Sequence, residues 1–220
     1  MIERGEFATN VGRAQAAIKS NPDSAAGWVL LGSVHLLNER AGDAADALER
    51  AAAIDPDAAS TWSKLGLARL QSSRVDTDVA FKRALALDSA NMLANEWYGI
   101  SLAGRGENAR AFTHLARLEG NAETSIQAIM ELARLLALRE RHEDAIKMLE
   151  PRVPLDSTLT RGHMILAASM LEANRNPDAV TRFNRAHELG ASPRFTQLGI
   201  AIALRDSGDA KGSKAAFARL

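Results

Sequence analysis

Along the chain, a bulky residue followed by a small one returns at a near-constant interval. The pairs are Leu31-Gly32, Leu65-Gly66, Tyr98-Gly99, Leu132-Ala133, Leu166-Ala167 and Ile200-Ala201. The steps between successive small members are 34, 33, 34, 34 and 34 residues. A second small series follows about twelve residues after the first, at Ala44, Thr77, Ala111, Ala145, Ala179 and Ser213. Four residues beyond each lies a bulky one: Leu48, Phe81, Leu115, Leu149, Phe183 and Phe217. A last series falls at Ala51, Ala84, Leu118, Arg152, Ala186 and Leu220. Residues four apart share one face of a helix, so each interval predicts two helices, A with the bulky-small pair and B with the small-x-x-x-bulky set. Small residues on facing helices let the backbones approach, and the bulky residue one turn on fills the space beside the contact. The stretch RAAAIDPDAASTWSKLG, Arg50 to Gly66, holds the joint between two units. Pro56 there, like Pro22 one interval earlier, cannot continue a helix and suits the entry to the next one.

This phrasing resembles the tetratricopeptide-repeat family, whose signature runs W-x-x-L-G-x-x-Y, then A-x-x-x-F, then P. The first unit reads WVLLGSVH, then Ala44 to Leu48, then Pro56. The resemblance covers nearly the whole chain, with six units in phase. The departures are specific. His35, Arg69, Leu102, Leu136, Met170 and Leu204 stand where the tyrosine would be, and the second unit is one residue short near its inter-helix turn. In the fourth unit Pro151 and Arg152 fall where helix B should continue, so that helix is expected to stop near Glu150, with a longer joint through Ser157.

The resemblance implies an all-α, right-handed superhelical solenoid of about six helix pairs plus a leading half repeat. Residues 1–22 would be the leading helix; the repeats would span 23–56, 57–89, 90–123, 124–157, 158–191 and 192–220. The last unit stops inside helix B. Solenoids usually shield their ends, so the expectation is a piece of a longer protein or, alternatively, an end that self-associates.

Composition narrows the chemistry. Lys plus Arg is 27 and Asp plus Glu is 27, a net charge of zero that argues against a general nucleic-acid or polybasic membrane partner. With no cysteine, thiolate catalysis and cysteine-ligated zinc are excluded. No apolar run approaches the ~18 residues of a membrane span, and the first residues form no signal-peptide core. Localisation stays open between cytoplasm and periplasm. The histidines, His35, His114, His142, His163 and His187, lie in different units without metal-ligand spacing, and His35 is expected to pack. Gly104 to Ala109 reads as an inter-helix turn, and Gly208 to Lys214 lacks phosphate-loop spacing. No catalytic, metal or cofactor site is expected.

In tetratricopeptide-repeat proteins the A helices line a concave face, and the resemblance places a peptide groove there. The candidates are Val29, Leu30, Ser33, Lys64, Leu67, Leu93, Glu96, Trp97 and Ile100 in the first three units. The later units add Met130, Glu131, Arg134, Met164, Ile165, Ala168, Phe195 and Leu198. Carboxylate clamps of this family use basic residues at such positions, and here only Lys64 and Arg134 qualify, two units apart. The set is largely apolar, which suits an apolar or amphipathic segment of a protein partner. The expected function is a non-enzymatic interaction scaffold, as in assembly factors of bacterial envelope systems. The alternatives are a recruiting domain of a larger enzyme and a self-assembling scaffold.

Overall fold

The computed structural model describes residues 4–74 and 76–220. The leading helix expected over residues 1–22 is present from Arg4, and its first three positions lie outside the described residues. The described residues are all-α, in two compact units, one ending at Asn121 and one spanning Ala122–Leu220. The first holds α1 (Arg4–Ser20), α2 (Ala25–Leu37), α3 (Ala41–Ile54), α4 (Ala59–Gln71), α5 (Thr77–Leu87), α6 (Met92–Gly104) and α7 (Asn108–Leu115). The second holds α8 (Ile126–Ala137), α9 (His142–Leu149), α10 (Thr160–Glu172), α11 (Asn176–Glu188), α12 (Pro193–Asp206) and α13 (Ala210–Phe217). Within each unit every helix packs on the next, and successive A helices also touch: α2 with α4 and α4 with α6, then α8 with α10 and α10 with α12.

The small-bulky pattern is the contact between the two helices of a pair. A Cβ placed on Gly32 would stand 2.5 Å from Leu48 Cγ; one on Gly66 would stand 2.6 Å from the Phe81 ring, and one on Gly99 2.6 Å from Leu115 Cγ. Helix A therefore needs a missing side chain where helix B presents its bulky one. Ala44, Ala111, Ala145 and Ala179 are essentially fully buried on the B side. Ser213, a polar member of that series, is buried too, and its hydroxyl donates to the Ala201 carbonyl at 2.8 Å.

Each A helix ends the same way. Glu39, Ser73, Gly106, Glu140, Asn174 and Gly208 all adopt positive φ, between 57° and 85°. Each lies seven residues after the small residue of the bulky-small pair. The next amide donates back five residues, as in Arg40 N to His35 O, Arg74 N to Arg69 O and Arg175 N to Met170 O at 2.8–2.9 Å. This is a Schellman closure, which satisfies carbonyls that a helix end leaves unpaired. The acceptor carbonyls belong to the residues that replace the family's tyrosine. The residue missing from the second unit is lost after Ser73, between the closure and the start of α5 at Thr77. Beyond three of these closures an arginine pairs with an aspartate in the first turn of helix B: Arg40 with Asp43, Arg141 with Asp144 and Arg175 with Asp178. An acidic residue there complements the helix dipole.

The joints between pairs carry a second recurring device. Trp62 Nε1 donates to the Pro56 carbonyl at 2.8 Å. Asn95 Nδ2 donates to the Ser89 carbonyl, and His163 Nε2 bonds the Ser157 carbonyl, both at 3.0 Å. All three side chains hold the same place in their repeats, and all reach six residues back. The irregular fourth unit keeps its joint with other means. The α-helical part of helix B ends at Leu149, and a single 3₁₀ turn over Glu150–Arg152 accommodates Pro151. Val153 is fully buried where the repeat would have placed Arg152, and Arg152 turns outward to donate to the Ala122 carbonyl at 3.2 Å. The buried Arg182 of α11 donates to the Val153 carbonyl at 2.8 Å.

Candidate functional site

The A helices expose one stripe at i, i+3, i+4 and i+7 on which the expected groove residues lie. In the first unit Val29 and Ser33 of α2 are half-buried and Leu30 is exposed. On α4, Lys64 and Leu67 are half-buried, and Lys64 Nζ donates to Ser33 Oγ at 3.2 Å, tying α4 to α2. On α6, Leu93, Trp97 and Ile100 are half-buried, while Glu96 is covered. Leu37 is 63% exposed at the end of α2.

In the second unit the stripe opens into a recess of about 310 Å3 between α8 and α10. It is lined by Arg134, Ala137 and Leu138 from α8 and its C-terminal cap, and by Arg161, Met164, Ile165 and Ala168 from α10. Four of the expected groove residues, Arg134, Met164, Ile165 and Ala168, thus come together in one place. Phe195 and Leu198 sit one repeat on from Arg161 and Met164, on α12, and are 65% and 39% exposed. Three of the expected groove residues, Glu96, Met130 and Glu131, are almost wholly covered, at 9%, 9% and 7% exposure, so none offers much surface to a ligand. Glu131 has another use: Arg134 Nε donates to its Oε2 at 2.9 Å, and Arg161 of α10 donates to its Oε1.

Sequence reasoning missed Ala137, Leu138 and Arg161. Leu138 is 60% exposed and lies just past the helix, beyond the places the candidate list takes from each repeat. Arg161 holds the same place as Leu93 and Phe195, both on that list, so the 34-residue interval already pointed to it.

Among the described residues no group of three His, Asp or Glu side chains could hold a metal. No described helix is long and apolar enough to cross a membrane. His35 packs edge-on against the Phe7 ring, centroids 5.9 Å apart, and burial lowers its pKa from the ordinary 6.5. Burial likewise lowers His114, with Arg117 and Arg110 adding to the effect, and His163. These are packing histidines whose burial disfavours the protonated form.

A sequence profile of the tetratricopeptide repeat matches residues 2–59. A curated relative, the cytochrome c-type biogenesis protein CycH of Pseudomonas aeruginosa, is 40% identical over 55 residues. That stretch is 24% of this chain and 14% of the relative, so the match spans a small part of that protein's length. Among solved structures, Pseudomonas aeruginosa PilF superposes with a TM-score of 0.62 at 17% identity, covering 89% of this chain and 90% of that one. PilW, described as a widely conserved type IV pilus biogenesis factor, gives 0.58 at 17% identity, covering 89% and 91%. At such identities the likeness establishes the fold.

Proposed function

We propose that the chain is a tetratricopeptide-repeat protein acting as a non-enzymatic scaffold, one that holds an apolar segment of a partner protein on its A-helix face. The observation that carries this reading is the α8–α10 recess, concave, apolar inside and built from residues that the repeat keeps on the surface. A core would not leave Leu138, Phe195 and Leu198 this exposed. Magnitudes say how much of the face a partner must cover. One apolar side chain seated in the recess contributes about 1.5–3 kcal/mol. Association costs on the order of 4–15 kcal/mol. A single anchor is therefore too little, and a bound segment has to run on across Phe195 and Leu198 of the same unit. The similarity to a cytochrome c-type biogenesis protein and to a type IV pilus biogenesis factor supports placing the scaffold among assembly factors of a bacterial envelope system.

Site-specific photocrosslinking tests it. A benzophenone side chain replaces Phe195, and as control Thr181, exposed on α11. A discrete segment of one partner should be captured from Phe195. The purified segment should then bind the wild-type chain and lose its binding to the Met164→Glu variant. Capture from Thr181 alone would overturn the reading. Capture of a second copy of the chain at Phe195 would replace it with self-assembly.

A further inference from the structure

The recess is apolar, but its rim is charged in a lopsided way. Glu131 lies almost wholly covered beneath Arg134 and Arg161, whose side chains keep 30% and 50% of their surface. Two guanidinium groups share one carboxylate, so the cluster carries one positive charge in excess. No acidic side chain is among the residues that line the recess. Arg161, the more exposed of the two, presents a planar fork of five N–H donors, and its bond to Glu131 Oε1 occupies part of that fork.

We propose that this recess selects a segment presenting an apolar side chain and a side-chain carboxylate side by side. The apolar group fills the space between Leu138, Met164, Ile165 and Ala168, and the carboxylate lands on Arg161. The charge balance favours a carboxylate over a phosphate. One excess positive charge matches a single negative one, whereas a phosphoryl group brings close to two. The role of Glu131 is to hold both arginines across the α8–α10 boundary, so that their charge is already in place when the segment arrives. This inference rests on the reading of the recess as a docking groove, and its test separates the two.

A random peptide library, fused at its C-terminus so that no free terminal carboxylate is displayed, is panned on the full chain. Enriched sequences are then measured as amidated peptides by fluorescence anisotropy. The expected winners carry Asp or Glu within one helical turn of Leu, Ile, Met or Phe. Arg161→Ala should weaken them about tenfold or more, the loss of one charge-assisted hydrogen bond. Arg161→Glu should abolish them and favour versions in which the acid is changed to Lys. Thermal melting of the variants checks the fold: in Arg161→Ala, Glu131 keeps Arg134 and little loss is expected, whereas Arg161→Glu sets a second carboxylate beside Glu131 and should melt lower while remaining folded. Apolar winners with no acidic preference, or acidic winners that ignore Arg161 yet are lost with Met164→Glu, overturn this inference and leave the groove standing. No enrichment, or winners that ignore both substitutions, overturns both.

Discussion

Arg182 Nη1 stands 3.3 Å from His163 Nδ1, nineteen residues along the chain. The pair repeats, in other letters, the 3.1 Å contact of His114 with Asn95, also nineteen apart. In both, a side chain on helix A bonds the joint behind it and meets a helix-B side chain in front. In the irregular joint the arrangement settles the tautomer of His163. Nε2 faces the Ser157 carbonyl and must donate, so Nδ1 accepts from Arg182.

Arg182 should therefore matter more than a surface arginine. Arg182→Met removes the donor to the Val153 carbonyl, in a fully buried residue, and leaves His163 Nδ1 without a partner. Hydrogen bonds from charged groups contribute about 1.5–3 kcal/mol. A loss of that order is expected in urea denaturation, with faster amide exchange around Val153.

The histidines set a pH dependence whose sign is fixed. His35, His114 and His163 have lowered pKa values in the folded chain, chiefly through burial. Between those values and the ordinary 6.5, the unfolded chain binds more protons than the folded one. Their stability is thus fully present above about pH 6.5 and is lost as pH falls through the folded values. Denaturation midpoints compared at about pH 7.5 and about pH 5 should show the loss. His163→Asn should reduce it, because Asn95 already does the same work one device earlier without titrating.

Gly66 and Gly12 should respond to alanine with opposite signs. Both lie in helices, where Gly→Ala alone gains up to about 1 kcal/mol. Gly12, in α1, has open space around it and should show that gain. Gly66 faces the Phe81 ring at 2.6 Å, and overpacking of this kind costs about 1–3 kcal/mol. The check is a double-mutant cycle: in a Phe81→Ala background, Gly66→Ala should turn from destabilising to stabilising.

Trp62→Phe keeps most of the ring and deletes the donor to the Pro56 carbonyl. A cost of about 0.5–1.5 kcal/mol is expected, read as a lower melting temperature. A cost near zero would mean that Trp62 serves the joint by packing alone.

The helix pairs were legible because the contact they make needs a letter pattern: a small residue against a bulky one leaves little choice at Gly32 and Leu48 or at Gly66 and Phe81. The joint device was not legible. Trp62, Asn95 and His163 share a donor and a reach but no sequence letter, and only the folded chain shows that their partners lie six residues back. The face of the A helices could be guessed, since it follows from the same periodicity. Depth could not. Met130 and Glu131 sit at groove positions by count, yet are covered, Glu131 by the guanidinium groups of Arg134 and of Arg161 from the neighbouring α10.

The six Schellman closures fix one length and leave another free. From the small residue to the positive-φ residue the count is always seven, whatever occupies the turn: glutamate, serine, asparagine or glycine. The one missing residue in the chain falls after that point. A change of length is thus absorbed between closure and helix B, where the arginine–aspartate pairs of Arg40, Arg141 and Arg175 are the contacts it would disturb, whereas one extra residue before the closure would turn helix B away from the bulky-small pair.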